Sequence, residues 1–266
     1  MKGVILAGGL GKRLYPLTKV TNKHLLQVYD RPMIYYPIQT LVNAGIRNIM
    51  LVTGGNSAGD FLKLLGNGHD FGLQHLNYTY QQGEGGIAAA LRLVEFFVGD
   101  DTVCVMLGDN VLEKDITGAA QAFMRQDRGA KILLKEVEDP GRFGVAVLRG
   151  DRVIAIEEKP SHPKSAYAVT GVYFYDREVF DIIRTLSPSA RGELEITDVN
   201  NVYIERGQMT WQLLDGWWTD AGTFDSLLLA GHLAARSSMA RTQGPAGGNQ
   251  PQEESDVSMK SEAWVR

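Results

Sequence analysis

A glycine-rich segment with two basic residues follows the first apolar run of the chain. Gly8 and Gly9 come directly after that run, and Gly11 precedes Lys12 and Arg13. Glycine lets a backbone approach a ligand closely and turn its amides toward it, as an anion-binding nest requires. The segment is therefore a candidate phosphate-binding loop, although a glycine-rich turn after a first strand could equally be a tight connection.

Two familiar nucleotide-binding loops do not fit this segment. A Walker A loop would need a glycine at the position of Leu6 and a Ser or Thr at that of Arg13. A dinucleotide-binding loop would need a glycine at the position of Leu14. The sequence thus argues against a P-loop NTPase and against a dinucleotide-binding enzyme.

An acidic residue, Asp109, follows the apolar run VCVML. The carboxyl end of a buried strand is where an open α/β sheet presents its ligand-binding groups. Asp109 is therefore a candidate metal ligand. From the residues alone, it could equally be a helix N-cap.

The elements that would position these residues alternate through the first half of the chain. Apolar runs predict strands at GVILA, NIMLVTG, LNYTY and TVCVMLGD, and the segments between them, including IAAALRLVEFF, have helical period. This alternation is typical of β-α-β units, in which helices cover both faces of a parallel sheet.

After about Ala130 the pattern changes to consecutive strands, KILLKEV, FGVAVLRG, DRVIAIEEK and YAVTGVYFYD, with a hairpin turn predicted at Gly150-Asp151. Helices follow at REVFDIIRTL and EITDVNNVYIERG, then a strand at MTWQLLDGWW and a last helix at TFDSLLLAGHLAAR. The sequence predicts a three-layer α/β/α sandwich around a mixed, Rossmann-like sheet.

Composition limits the class of protein and the extent of its fold. A hydrophobic fraction of 44% and a charged fraction of 22% are close to the average of globular proteins. The net charge of -4 provides no general attraction to nucleic acid or to an anionic membrane. We expect one domain over residues 1–236 and a disordered polar tail over 237–266, which is poor in apolar residues.

The N-terminal apolar run is too short for a signal peptide, and no later segment reaches membrane-spanning length. We therefore expect a cytoplasmic protein. The single cysteine, Cys104, excludes an intramolecular disulfide and a cysteine metal cluster.

A series of motifs resembles one protein family along the chain to about Arg236. The motifs, in family order, are LAGGLGKRLYPLT, NKHLL, DRPMIYYP, YQQGEGGIA, LGDN, RFGVA, IEEKP, YAVTGVYFYD, RGELEITDVN and GWWTDAGT. They are similar to those of the short-form glucose-1-phosphate thymidylyltransferases, within the sugar nucleotidylyltransferases. The resemblance implies a nucleotidylyltransferase domain over residues 1–236 and a nucleotide-diphospho-sugar transferase fold.

The resemblance also implies a reaction. The sugar-phosphate oxygen of α-D-glucose 1-phosphate would attack the α-phosphorus of dTTP in line, giving dTDP-glucose for deoxysugar synthesis and releasing pyrophosphate. Such catalysis depends on positioning and charge neutralisation and needs no protein nucleophile. Family members are homo-oligomers, commonly tetramers and sometimes dimers, and no nucleic acid or membrane partner is expected.

Matching positions assign the charged roles. Arg13 would steady the triphosphate and the departing pyrophosphate with help from Lys23, and Asp109 and Asp220 would hold Mg²⁺, a hard cation that prefers oxygen ligands. As structural alternatives, Arg13 and Lys23 could be solvated surface charges, and Asp220 could be a turn residue.

The same matching assigns the sugar site. Lys159 would bind the sugar phosphate and Glu158 would accept a sugar hydroxyl, although the pair could also be a salt-bridged strand end. Glu195 could contact the sugar or place a charge at a helix N-terminus. The other residues expected to shape the pocket are Gly144, Val169, Gly171, Thr197 and Trp218.

We expect the nucleotide to be bound by Gly8, Gly9, Gly11, Gln81 and Gly86. The resemblance implies that Gln81 and Gly86 contact the thymine.

The chain departs from the family around the base. Gln82 and Ala89 stand where many thymidylyltransferases have Pro and Gln. A related enzyme using UTP or another hexose phosphate therefore stays open as an alternative. A non-catalytic nucleotide-sugar sensor is a further alternative, against which the retained charged residues argue.

Overall fold

The computed structural model describes residues 1–55, 57–126 and 128–242, without the side chains of 240–242. The strands are β1 (Lys2–Ala7), β2 (Gln27–Val28), β3 (Arg31–Pro32), β4 (Asn48–Gly54), β5 (His75–Gln81), β6 (Val103–Leu107), β7 (Asn110–Leu112), β8 (Ala130–Glu136), β9 (Gly144–Arg149), β10 (Arg152–Glu158), β11 (Tyr167–Tyr175), β12 (Met209–Leu213) and β13 (Trp218–Asp220).

The helices alternate with these strands in the first half of the chain and follow them in groups in the second. They are α1 (Tyr35–Asn43), α2 (Ala58–Leu65), α3 (Ile87–Arg92), α4 (Glu95–Val98), α5 (Thr117–Met124), α6 (Glu178–Thr185), α7 (Ile196–Glu205) and α8 (Phe224–Thr242). Short 3-10 turns lie at Lys12–Leu14, Leu17–Lys19, Lys23–Leu25, His69–Phe71 and Pro140–Arg142. Within the described ranges, no helix has both the length and the apolar character to cross a bilayer.

The described strands build a nine-stranded mixed sheet with the path β10-β9-β11-β6-β1-β4-β5, to which β8 and β12 add beside β11. Strands β6, β1, β4 and β5 are parallel to one another, as are β8 and β12. Strand β11 runs antiparallel to β6, β8 and β9. The mixed sheet predicted from the sequence is therefore confirmed.

Different helices cover the two faces of this sheet. Along β1, Val4 and Leu6 belong to one apolar cluster and Ile5 and Ala7 to the other, because successive strand residues point to opposite faces. The first cluster includes buried residues of α3, α4, α6 and α7, and the second includes buried residues of α1, α2 and α5. This arrangement confirms the three-layer α/β/α architecture.

Strand β11 is irregular where it passes the centre of the sheet. Its pairing with β8 shifts register between Val169 and Tyr173, so β11 contains extra residues there, as in a β-bulge. The backbone N–H of Gly171, inside this irregular stretch, donates to a side chain, Oδ1 of Asn110, at 2.9 Å. The irregularity thus turns one backbone donor of the sheet toward β7.

A small β-ladder with one helix lies apart from the main sheet. Strands β7 and β13 form a separate antiparallel pair, and α8 packs on it through Ala230 and Ala234 in a cluster with Val111 and Ala221. Helix α8 continues to Thr242, so the first part of the predicted polar tail, residues 237–242, is helical. Residues 243–266, the rest of that predicted tail, lie outside the described residues.

Two segments differ from the sequence prediction. The run MTWQLLDGWW, predicted as one strand, forms β12 and β13 in different sheets, with the positive-φ residue Gly216 between them (φ 70°). The run IAAALRLVEFF, predicted as one helix, is divided into α3 and α4, because Leu93 N–H bonds to the carbonyl of Ala90 in a tighter turn. The predicted hairpin is confirmed, since Arg149 pairs with Arg152.

Two glycines give a matched test of backbone constraint. Gly129 has φ 104°, and a Cβ there would overlap the carbonyl oxygen of Gln208, whereas a Cβ on Gly118, in α5, would meet nothing within 4 Å. We expect Gly129→Ala to lower the free energy of unfolding by about 2 to 4 kcal/mol and Gly118→Ala to raise it by about 0.4 to 1 kcal/mol. Urea denaturation measures both, and equal effects would contradict this description of the backbone.

Candidate active site

A cavity of about 400 Å³ lies at the carboxyl ends of the parallel strands and collects residues from both halves of the chain. Its position agrees with the rule that open α/β sheets bind ligands at this edge. Among its lining residues are Gly8, Gly9, Arg13, Lys23, Gln81, Gly86, Asp109, Gly144, Glu158, Lys159, Val169, Gly171, Glu195, Thr197, Trp218 and Asp220, all of which the sequence places in the site.

Gly11 is the predicted site residue that is not among the residues lining this cavity. It adopts φ 65°, and a Cβ there would lie 2.8 Å from Cγ2 of Thr18 and 2.9 Å from Cβ of Lys23. Its carbonyl also accepts a hydrogen bond from Oγ1 of Thr18 at 3.0 Å. Gly11 therefore contributes to the conformation of the loop without lining the cavity, and its lack of a side chain allows Lys23 to pack closely against it.

The Lys23 ammonium and the Asp109 carboxylate form a largely buried ion pair, with Nζ 2.6 Å from Oδ2. Burial by itself would raise the pKa of Asp109, but Lys23 and the hydrogen bond from Asn110 outweigh it and hold the pKa of this carboxyl well below its usual range. Asp109 is therefore ionised at neutral pH and available to a cation.

The pairing of β7 with β13 brings the second predicted metal ligand beside the first. Asp220 pairs with Asn110 in this ladder, and the N–H of Ala221 donates to the carbonyl of Asp109 at 2.8 Å. Burial, followed by the charge of Asp109, raises the pKa of Asp220 to about 6. The two carboxylates thus repel each other across a shared, partly desolvated space.

Arginines partly offset this negative charge. Nη2 of Arg142 lies 3.7 Å from Oδ1 of Asp220. A Cβ built on Gly222 would lie 2.8 Å from Nη2 of Arg13 and 3.5 Å from Oδ2 of Asp220. The missing side chain of Gly222 therefore leaves the space that the Arg13 guanidinium occupies beside Asp220.

The donor set suits a hard divalent cation. Over the described part of the chain, no cluster of three or more His, Cys, Asp or Glu side chains could hold a metal ion alone. Asp109 and Asp220 face the same cavity, and a cation between them would relieve their repulsion. Two carboxylates leave the remaining coordination positions to substrate oxygens and water, as Mg²⁺-type sites do. The residues present therefore fit such an ion.

A second group of charges surrounds Glu158. Oε2 of Glu158 accepts a hydrogen bond from Oγ1 of Thr197 at 2.7 Å, and Oε1 lies 3.4 Å from Nζ of Lys159 and 3.5 Å from Nη2 of Arg191. Lys159 has φ 43°, a conformation that bulky residues rarely adopt and that often marks a functional position. The ammonium and the guanidinium thus flank one carboxylate at the cavity wall.

Glu195 lies at the N-terminus of α7, as the sequence allows, and its carboxylate is paired with a cation. It precedes α7 but makes no side-chain capping bond. Its Oε1 and Oε2 both accept from Nη2 of Arg191 at 2.9 Å, and Oε1 also accepts from Oγ of Ser189 at 2.7 Å. This carboxylate fixes Arg191 at the edge of the cavity.

The predicted base-binding residues are Gln81, at the end of β5, and Gly86, directly before α3, and the segment between them is bonded to the loop that carries Leu194. Nε2 of Gln81 donates to the carbonyl of Gly86 at 3.3 Å. The N–H of Leu194 donates to the carbonyl of Gly85 at 2.9 Å, and the N–H of Ala88 donates to the carbonyl of Leu194 at 3.1 Å. Gly86 has φ 90°, and a Cβ there would lie 2.5 Å from the oxygen of Leu194. The two loops are therefore locked together.

Sequence reasoning missed two arginines of the cavity, Arg142 and Arg191. Both lie within family-like motifs, RFGVA and RGELEITDVN. Their position inside these motifs was the sequence signal that could have identified them. A basic residue in an irregular segment shows no periodicity from which the direction of its side chain could be predicted.

His24 was also missed, because a histidine beside a candidate lysine has no distinctive spacing. Burial, and then the charge of Lys23, lowers the pKa of His24 to about 3, so its ring is neutral at neutral pH. Oδ1 of Asn22 lies 2.7 Å from Nδ1, which places the ring proton on Nδ1. The ring lines the cavity but is only 2% exposed.

Comparison with known proteins agrees with this geometry. The chain matches the nucleotidyl transferase family over residues 2–237. It is 46% identical to the glucose-1-phosphate thymidylyltransferase of Neisseria meningitidis over 231 residues, which are 85% of this chain and 80% of that protein. It is also 46% identical to the Mycolicibacterium smegmatis enzyme of the same name, over 86% of this chain and 80% of that protein. The chain belongs to the nucleotidyl transferase family.

Solved structures share its architecture. A candidate glucose-1-phosphate thymidylyltransferase from Bacillus anthracis, crystallised with sucrose, is 54% identical, has a TM-score of 0.85 and matches 88% of this chain and 95% of its own. A UDP-glucose pyrophosphorylase bound to UDP-glucose has a TM-score of 0.77 at 22% identity, over 88% of this chain and 98% of its own. The second likeness shows a common fold.

The space beside Gly222 provides a test of Arg13. Gly222→Ala should displace the flexible Arg13 side chain and reduce nucleotidyl transfer about 10- to 100-fold, since small misplacements of charged groups are costly. The melting temperature should hardly change, because the crowded atoms can move away. Gly118→Ala, the same substitution in open space, is the control. Full activity of Gly222→Ala would contradict a role for Arg13 in neutralising the charges that react.

Proposed function

We propose that this chain transfers a thymidylyl group from dTTP to α-D-glucose 1-phosphate, giving dTDP-glucose and pyrophosphate. The observation that carries the proposal is the presence of two cation-carboxylate groups in one cavity. The first contains Lys23, Arg13, Asp109 and Asp220, and the second contains Lys159, Arg191, Glu158 and Glu195. Relatives named for this activity are 46% identical over most of the chain, which supports the choice of substrates.

Each group of charges would hold one polyanionic substrate. Arg13 and Lys23 would neutralise the triphosphate and meet the charge that develops on departing pyrophosphate. Lys159 and Arg191, which flank Glu158, would bind the sugar phosphate. Bringing two anions into reach in line is the main task in such transfers, and fixed cations perform it without reorganisation during the reaction.

Mg²⁺ is the cofactor that we propose for Asp109 and Asp220. When bound, it would polarise phosphate oxygens and offset charge that develops on them. The protein's own contribution is to keep Asp109 ionised through Lys23 and to hold Asp220 beside it through the β7–β13 ladder.

The residues around Glu158 in the cavity wall would select glucose. The Thr197 hydroxyl donates to one carboxylate oxygen of Glu158 and so orients it toward the cavity. A Cβ on Gly144 would lie 3.5 Å from that same oxygen, an ordinary van der Waals distance, so the backbone of Gly144 passes close to the carboxylate. Glu158 would accept a sugar hydroxyl. The Trp218 ring, whose centroid lies 5.1 Å from that of the Phe143 ring, would line the pocket.

From the resemblance, we also propose that the protein is a cytoplasmic homo-oligomer, a tetramer or a dimer, whose product supplies deoxysugar synthesis. Light scattering on the purified chain measures the oligomeric state directly, and a monomer at working concentration would contradict this part.

The test of the function is a substrate panel. Purified protein with Mg²⁺ is given each pairing of dTTP, UTP and other triphosphates with several sugar 1-phosphates, and released pyrophosphate is followed. The highest kcat/KM should belong to dTTP with glucose 1-phosphate. A higher value for UTP or for another hexose phosphate would favour the related pyrophosphorylases, and binding without pyrophosphate release from any pair would favour a sensor.

Replacing Asp109 with Asn nearly preserves the side-chain volume but removes a coordinating charge. We expect turnover to fall at least about 100-fold at limiting Mg²⁺, while circular dichroism shows a folded protein. Asp70→Asn, the same change at an exposed aspartate, should leave turnover unchanged. An Asp109→Asn variant with near wild-type turnover would exclude Asp109 from the metal site.

Base selection should be moderate. Thymine and uracil present the same hydrogen-bonding edge to Gln81 and Gly86, and they differ by one methyl group, for which the apolar wall at Ile87 and Ala90 is available. A pocket discriminates one methyl group by only about 10- to 200-fold, so dTTP should be preferred while UTP is still used.

Four triphosphates separate the two chemical differences in this comparison. Comparing dTTP with dUTP isolates the methyl group. Comparing each of these with its ribose counterpart isolates the sugar hydroxyl. A preference for dTTP over dUTP above about 10,000-fold in kcat/KM would exceed what a methyl contact supplies and would contradict this explanation.

A further inference from the structure

An ion pair joins two glycine-rich segments of the cavity, residues 8–13 (the first segment) and residues 81–86 (the second segment). Nζ of Lys12, in the first segment, lies 2.5 Å from Oε2 of Glu84, in the second. Glu84 lines the cavity, whereas Lys12 is not among the lining residues. In the part of the chain that the structure describes, Lys12 is the single polar partner of the Glu84 side chain. The Lys12 side chain therefore ties the first segment to the second.

The two segments also meet at their inner ends, where β1 and β5 reach the same edge of the sheet. A Cβ on Gly8 would lie 2.9 Å from Oε1 of Gln81, so the two backbones approach closely there. Between this contact and the ion pair, Gly9 of the first segment and Gly83 of the second line the cavity. The segments are thus joined at both ends and enclose the part of the cavity that lies between them.

The outer end of the second segment is held differently from its inner end. Backbone hydrogen bonds fix Gly85 and Ala88 to Leu194, but a Cβ on Gly83 would meet nothing within 4 Å, so this part of the segment is not packed. The Lys12 and Glu84 side chains are 73% and 42% exposed. Exposed ion pairs are weak, so this contact can open and close while the rest of the site stays in place.

We propose that Lys12 and Glu84 are positioning residues, whose ion pair holds the two segments together around a bound nucleoside triphosphate and slows its release. The inference rests on the proposed function for the placement of the nucleotide, with phosphates at the first segment and the base at Gln81 and Gly86. A nucleotide placed in this way extends from one segment to the other. The pair must then open before the nucleotide can leave.

The same two charges could instead act separately on the triphosphate. Lys12 would then attract the phosphates directly, and Glu84, a carboxylate in the cavity wall, would repel them. Neutralising Glu84 would tighten binding in that case. If the ion pair holds the segments together, neutralising either residue weakens binding. The sign of the effect at Glu84 therefore distinguishes a tie between segments from two independent charges.

A double-mutant cycle with Lys12→Met, Glu84→Gln and the double variant makes this measurement. Equilibrium dialysis with labelled dTTP and Mg²⁺, without sugar phosphate, gives the dissociation constant, and stopped-flow tryptophan fluorescence gives the dissociation rate. Each single variant should raise both quantities about two- to fivefold, the range that an exposed ion pair supplies. The double variant should be no weaker than either single variant, because both remove the same contact. Association rates should hardly change.

Two further variants are controls. Lys12→Arg keeps a cation that can reach Glu84 and should bind dTTP within about twofold of wild type. Lys164→Met removes the cation of another exposed ion pair, formed with Glu157, and neither of these residues is among those lining the cavity. It should leave the dTTP constants unchanged. At about 1 M NaCl, where charges are screened within about 3 Å, wild type and the Lys12 and Glu84 variants should converge.

Faster dissociation in both single variants, with no further change in the double variant, supports the inference. Three results would overturn it. These are tighter or unchanged dTTP binding by Glu84→Gln, an undiminished effect of Lys12→Met when Glu84 is already Gln, and a change confined to the association rate, which is typical of a charge that only steers a ligand. Failure of the wild type to bind dTTP would defeat the proposed function instead, and the cycle is then run with the triphosphate that the substrate panel identifies.

Discussion

The ion pair between Lys23 and Asp109 is the interaction on which the site depends. A carboxylate with this burial would resist ionisation in isolation, and the ammonium 2.6 Å away reverses that tendency. The same carboxylate disfavours charge on Asp220, which raises the pKa of that neighbour to about 6. The carboxylates of the cavity are therefore only partly neutralised by its lysines and arginines. When a metal cation and phosphate groups enter, each added charge meets an opposite charge that is already in place.

The rest of the fold keeps these charges in position. Apolar clusters on both faces fix β1 and β6, whose carboxyl ends lead into the glycine-rich loop and Asp109. The β7–β13 ladder brings Asp220 alongside, and the extra residues of β11 direct the Gly171 N–H toward Asn110. The loops that carry Gly86 and Leu194 are joined through their backbones. The site is thus built from rigid elements and from loops that brace one another.

The sequence predicts the fold more completely than it predicts the site. Near-continuous apolar runs indicate which strands are buried on two faces, and that signal is local. The split of MTWQLLDGWW was missed because Trp217 bonds through its backbone to Glu113, a contact distant in sequence. Motif resemblance located the residues that line the cavity, but not the packing role of Gly11 or the inward direction of Arg142 and Arg191. These depend on tertiary contacts between irregular segments, for which residue type and spacing contain little information.

In the function that we propose, these charges serve a direct displacement at the α-phosphorus, with no covalent link to the protein. His24 is the cavity's neutral imidazole, yet it is 2% exposed and its Nδ1 is engaged by Asn22, so it is poorly placed to attack. The stereochemical course at phosphorus distinguishes the two possibilities. One diastereomer of dTTP with sulfur on the α-phosphorus is converted with glucose 1-phosphate, and the product's configuration is determined by phosphorus NMR. A single in-line displacement predicts inversion. Retention would contradict it, because retention requires two displacements through a covalent nucleotidyl-enzyme.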